Sequence, residues 1–129
     1  MKSRAWVMAV GLIVLIGVAQ AVALAVPRVV VGTGVEDRAP VGVGAEFPGT
    51  VGMVMCFSEV TGAGEGSRVV HIWYFGEEEQ LRITLPVRGD RWRTWSQKRI
   101  NPGHAGAWRV VVEGPDGAVL AEVAFEITE

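Results

Sequence analysis

The chain has 129 residues, half of them apolar, with 17 glycines, one cysteine and a formal net charge of −2. That is enough chain for one domain with its own core, and too apolar for a disordered one. A single cysteine excludes an intramolecular disulfide framework and a cysteine-rich zinc module, and a slightly acidic balance excludes a dedicated nucleic-acid binder.

The first 25 residues stand apart, with 19 apolar residues and no acid. Lys2 and Arg4 form a short basic start, and an apolar run follows from Ala5 to Ala19. Ala21-Val22-Ala23 and Ala23-Leu24-Ala25 both fit the small-x-small pattern of a secretory cleavage site. Pro27 ends any helix soon afterwards. The expectation is a hydrophobic N-terminal helix over 1–25, a signal peptide cut after Ala23 or Ala25, followed by one domain over 26–129. The alternative is an uncleaved anchor, since Ala5 to Val26 is 22 residues, long enough to span a bilayer with Lys2 and Arg4 kept cytoplasmic. The first reading makes the domain periplasmic or extracellular. The second holds it at the inner membrane, outside the cytoplasm, touching lipid only through residues 5–26. No cysteine near the cleavage region provides for a lipid-modified N-terminus.

The remaining 104 residues are 43% apolar and carry 14 acids against ten bases, a net charge of −4. No segment shows a 3.6-residue period; alternation with period 2 recurs between glycine-rich turns. Arg28 to Gly32 reads as a first strand, and 34–50, rich in Gly and Pro, as a long loop. Thr50 to Val60 is a second strand, with Val51, Met53, Met55 and Phe57 on one face and Gly52, Val54, Cys56 and Ser58 on the other. Cys56 reads as a small buried hydrophobe rather than a reactive thiol. Arg68 to Phe75 sends Val69, His71, Trp73 and Phe75 to one face. After the charged turn at Glu77, Glu78 and Glu79, Gln80 to Val87 alternates with Leu81, Ile83, Leu85 and Val87 inward. Pro86 marks that strand as an edge or its end. Arg91 to Ser96 follows, then a loop from Asn101. Ala107 to Glu113 buries Trp108, Val110 and Val112. Gly114-Pro115-Asp116-Gly117 is a hairpin turn, and Val119 to Ile127 closes the domain. About seven strands in this length predict an all-β, antiparallel, immunoglobulin-like sandwich. Without a disulfide its core rests on packing, with Trp73, Trp108, Phe57 and Phe125 contributing roughly 1.5–3 kcal/mol each.

Four stretches point to a family. They are Val35-Glu36-Asp37-Arg38-Ala39-Pro40; His71-Ile72-Trp73-Tyr74-Phe75-Gly76; Arg91-Trp92-Arg93-Thr94-Trp95-Ser96-Gln97-Lys98; and Gly106-Ala107-Trp108-Arg109-Val110-Val111-Val112 with Asp116-Gly117 and Leu120-Ala121-Glu122. In this order and spacing, over residues 28–127, the chain resembles the bacterial family of domain of unknown function 2914. Phe75 departs from the pattern, standing where Asn is expected before Gly76. The resemblance implies an exported or membrane-tethered β-rich domain and brings no catalytic residues with it.

Charge is most uneven over 88–99, where Arg88, Arg91, Arg93, Lys98 and Arg99 are half of the ten bases outside the leader. Alternation places Trp92 and Trp95 on opposite faces, so one of them lies outside the main core or at its margin. Arg91, Trp92, Arg93, Trp95, Lys98 and Arg99 are therefore the candidate binding patch, suited to an envelope protein or an anionic glycan. Glu77, Glu78 and Glu79 are the acids expected to pair with these bases if the strand is merely a solvated face. His71 reads as a satisfied core histidine and His104 as an exposed loop residue. Two histidines and one distant cysteine fall short of a zinc site, so no metal or cofactor is expected. No G-x-S-x-G, H-E-x-x-H or phosphate loop is present, and nothing in the spacing of Ser96, His71 and Asp90 predicts that they meet as a triad. The expected function is a non-catalytic, exported accessory or binding module of the cell envelope that engages a protein partner. A carbohydrate-binding module using Trp92 or Trp95 is the alternative, and an uncharacterised hydrolase a second one.

Overall fold

The computed structural model describes residues 23–64 and 66–129. The expected N-terminal helix falls almost wholly on residues 1–22 and lies outside them. Among the described residues there are ten strands: β1 (Ala25–Gly32), β2 (Gly34–Glu36), β3 (Ala39–Val41), β4 (Glu46–Pro48), β5 (Met53–Thr61), β6 (Ser67–Phe75), β7 (Glu78–Val87), β8 (Arg91–Arg99), β9 (Gly106–Glu113) and β10 (Val119–Thr128). They form a three-stranded sheet in the order β1-β5-β8, a five-stranded sheet β4-β10-β9-β6-β7, and the hairpin β2-β3.

The two larger sheets are packed face to face as a sandwich. Val31, Val54 and Cys56 of the smaller sheet share one core with Trp73, Trp108, Val110, Phe125 and Ile127 of the larger. A second cluster joins Val60 to Val69, Val87 and Val112, and Trp92 packs against it. Aromatic rings run through the first core. Phe125 is 6.0 Å from each of Phe47, Trp73 and Trp108, and Trp108 is 5.0 Å from Phe75. These are the edge-on and stacked separations at which aromatic quadrupoles attract.

Three expectations need correcting. The strands number ten rather than about seven, because the loop expected over 34–50 contains β2, β3 and β4. The pairing is not wholly antiparallel: β4 runs parallel to β10, with Phe47 opposite Ile127. Phe47 is buried there, which is what a three-residue strand at the sheet margin contributes. Phe57 is 1% exposed but belongs to neither core cluster. It lies on the outer face of β5, since its neighbours Val54, Cys56, Ser58 and Val60 point inward. On that side the β2-β3 hairpin lies against β1 and β5, and the Trp95 ring stacks on Phe57. A Cβ at Gly32 would stand 2.5 Å from the carbonyl oxygen of Val41, so only glycine lets β3 come this close to β1.

Two other expectations hold. β7 is an edge strand and carries Pro86 near its end. The inward face of β6 is Val69, His71 and Trp73, all buried, with Phe75 half-buried beside them. β1 begins at Ala25, the last residue of the expected leader, and Leu24 packs against the second core cluster.

Candidate functional site

β8 is the free edge of the three-stranded sheet. It pairs with β5 residue for residue from Thr61–Arg91 to Met53–Arg99 without a register shift. The bonds Gly62 N–H to Asp90 O (3.1 Å) and Ile100 N–H to Gly52 O (2.8 Å) flank this ladder at its two ends. In an antiparallel ladder, hydrogen-bonded pairs alternate with non-bonded ones. Ile100 and Asp90 are both even-numbered, so the even residues of β8 bond to β5. The backbone N–H and C=O groups of Arg91, Arg93, Trp95, Gln97 and Arg99 therefore point to the open edge. One of these is already engaged, for Lys98 Nζ donates to Arg99 O at 2.8 Å.

The side chains of the candidate patch divide between the faces of this strand. Arg91, Arg93, Gln97 and Arg99 are exposed on the outer face, where half-buried Trp95 stacks on its cross-strand neighbour Phe57 at 6.3 Å and 11°. Trp92 and Lys98 lie on the other face, Trp92 half-buried against the second core cluster. The tryptophans thus face opposite sides, and Trp95 is the one outside the core.

Residues that sequence reasoning missed complete the site. The β2-β3 turn puts Asp37 and Arg38 at φ 49° and 61°, both left-handed, as a two-residue hairpin turn of this twist requires. This turn brings Arg38 to β8: its guanidinium lies 5.7 Å from the Trp92 ring centre, and its carbonyl accepts from Arg93 Nη1 at 3.3 Å. A groove of about 450 Å³ runs between Pro27, Glu59, Arg91, Trp92 and Arg93. A second, of about 230 Å³, lies between Arg38, Pro86, Arg88, Arg93 and Trp95. Trp92 and Arg93 line both.

The charges here are not balanced locally. Among the described residues, no ion pair reaches Arg38, Arg88, Arg91, Arg93, Lys98 or Arg99. Glu59 stands opposite Arg93, but its carboxylate goes to Arg28 on the other side at 3.7 Å. The expected pairing with the acidic turn does not form: Glu79 instead holds Arg82 at 2.7 Å, three residues on in β7. The outer face of the five-stranded sheet is the contrast. There Arg82 also reaches Glu113, and Arg109 reaches Glu122 while lying 4.1 Å from the Tyr74 ring centre. Arg68, opposite Pro86, is the one other base without an ion pair among the described residues.

His71 and Ser96 do meet, but in the core. His71 is 0% exposed, with Nε2 at 2.8 Å from Ser58 Oγ and Nδ1 at 2.6 Å from Ser96 Oγ. Trp73 Nε1 donates to the same Ser96 oxygen at 3.0 Å. Burial disfavours the imidazolium and pushes the histidine down to about 4. Asp90 is no part of this cluster. The His71, Ser58 and Ser96 side chains are buried between the sheets with their polar atoms hydrogen-bonded to one another. Cys56 is likewise buried, and burial pushes its thiol well above the ordinary range, as expected of a small apolar filler. His104 is half-buried rather than exposed, because its ring stacks on Phe75 at 5.2 Å and its carbonyl accepts from Trp108 Nε1 at 2.9 Å. Among the described residues, no three His, Cys, Asp or Glu side chains gather as metal ligands, and no helix is long and apolar enough to cross a membrane.

Residues 66–127 match the family model described as Protein of unknown function (DUF2914). The match runs from the turn before β6 into β10 and takes in the three later stretches of the resemblance. The Val35–Pro40 stretch, now the β2-β3 hairpin, lies outside it. No curated protein matches the chain.

Proposed function

We propose that this chain, which belongs to the DUF2914 family through residues 66–127, is an exported, non-catalytic binding module of the cell envelope that engages an acidic protein partner along β8. The observation that carries the reading is the charge imbalance. Arg28, Arg82 and Arg109 each reach a carboxylate, whereas the five bases of 88–99 and Arg38 reach none among the described residues. Unpaired guanidiniums fanned along one strand attract carboxylates in bidentate geometry and steer an acidic partner toward that edge. Export is supported by Lys2, Arg4, the apolar run and the small-x-small sites, and the sandwich is read as immunoglobulin-like.

A protein partner is favoured over a sugar because neither tryptophan offers a bare platform. Trp92 packs on the core under the Arg38 guanidinium, and Trp95 stacks on Phe57. The reading is tested by affinity capture from envelope extract with the purified protein and its R91E/R93E/R99E variant. The native protein is expected to retain an acidic partner that high salt releases and the variant does not hold, with thermal unfolding unchanged. Capture unaffected by the charge reversal would remove β8 from consideration.

A further inference from the structure

Four strands bound the two larger sheets, and three of these edges are blunted. β1 carries Pro27 and has an extra residue between Ala25 and Arg28. β4 is three residues long and ends in Pro48. β7 carries Pro86 and a register shift beside Leu81. Proline, bulges and short length are the usual means by which proteins stop other chains from adding to a sheet. β8 has none of them: nine residues without Pro or Gly, in unbroken register with β5.

We infer that β8 is a docking edge that binds an extended acidic segment of a partner protein by strand addition. This rests on the proposed reading of β8 as the binding element and specifies its mode. The outward-facing N–H and C=O groups of Trp95 and Gln97, with the N–H of Arg99, supply the main-chain ladder, the source of affinity in this recognition mode. Arg91, Arg93 and Arg99 line one rim of the edge and Lys98 the other, so carboxylates on either side of an incoming strand meet a base. The same charges exclude a second copy of this chain, because β8 against β8 would set arginines beside arginines. The Arg38 turn lies over the Trp92–Arg93 end and leaves Thr94–Arg99 as the open run.

The test is isothermal titration of the purified protein with a capped peptide of about seven residues alternating Glu and Val, long enough to cover that run at about 3.3 Å per residue. Two analogues carry N-methyl groups on alternate amides, in the two possible phases, leaving the charges unchanged. The expected result is saturable binding by the parent peptide, at least a tenfold loss in one methylated phase and little loss in the other. The Gln97→Pro variant removes an outward N–H while sparing the β5 ladder. It should weaken the parent peptide by a similar factor with little change in thermal unfolding. Equal binding by all three peptides overturns strand addition while leaving the charged patch standing. No binding by the parent peptide at low salt overturns both. Dimerisation of the protein alone, abolished by Gln97→Pro, would identify a second copy as the occupant and overturn the acidic partner.

Discussion

His71 shows how a sandwich without a disulfide fixes the register of its two sheets. It reaches from β6 across the core to Ser58 on β5 and Ser96 on β8, which ties three strands through one ring. The ring is neutral because its folded pKa, about 4, lies below the ordinary 6.5. The unfolded chain therefore binds the proton more readily between these values, and stability is lost as pH falls from about 6.5 to 4. The shift is worth about 3 kcal/mol. His71→Gln should flatten this part of the stability profile in urea unfolding at a series of pH values, whereas a slope as steep as in the native protein would show that other groups cause it. Phe125 is the centre of the aromatic run, touching Phe47, Trp73 and Trp108. Phe125→Ala should cost about 3–5 kcal/mol, a large part of what a domain of this size possesses, and lower the melting temperature accordingly.

Among the elements, the β2-β3 hairpin carries the clearest cost and the clearest use. Arg38 sits in the left-handed region, at about 1–2 kcal/mol for a residue with a side chain. Arg38→Gly should stabilise the hairpin by about 1 kcal/mol, seen as slower amide exchange in β2 and β3, while weakening the acidic peptide on β8 by removing a cation beside Trp92. If amide exchange in the hairpin is unchanged, the turn is not where strain resides. Gly32→Ala should have the opposite effect, lifting β3 from β1 and making the hairpin a substrate for limited proteolysis. These elements also mark where sequence reading stops. β7, β8 and β10 were legible because each alternates with one face toward the core, and Pro86 identified an edge. β6 and β9 were legible because their tryptophan-bearing faces recur every second residue, even though Ile72 and Val111 are buried on the other side. The hairpin was not, because Asp37-Arg38 has the conformation of a glycine turn without the glycine. β4 was too short to alternate. The outer burial of Phe57 was hidden because β5 is apolar on both sides, and alternation alone does not say which side a third layer covers. The basic, tryptophan-bearing stretch was visible as composition. Its openness was not, since that depends on strand order and on where Glu59 and Glu79 spend their charge.

At the scale of the whole molecule, the two outer faces of the sandwich are built differently. On the five-stranded sheet, Glu79, Arg82 and Glu113 form one chain of charges, with Arg109, Glu122 and Tyr74 beside it, and buried Ile72 and Val111 alternate outward on the same strands. On that face Arg82 and Arg109 are paired, and Arg68 at its margin is the base left over among the described residues. The three-stranded sheet is covered in part by the hairpin and leaves its bases along one regular, unpaired strand. A net charge of −4 over residues 26–129 thus coexists with a local cationic edge along β8, the one place among the described residues where the proposed acidic partner meets unpaired bases on a regular strand. The most direct measurement is amide chemical-shift mapping of the protein titrated with the alternating Glu-Val peptide, at low salt and again at about 0.5 M salt, where screening is strong. The expected result is perturbations confined to Arg91–Arg99 and the Arg38 turn, reduced at high salt. Perturbations centred on Tyr74 and Arg109, or none at low salt, would contradict it.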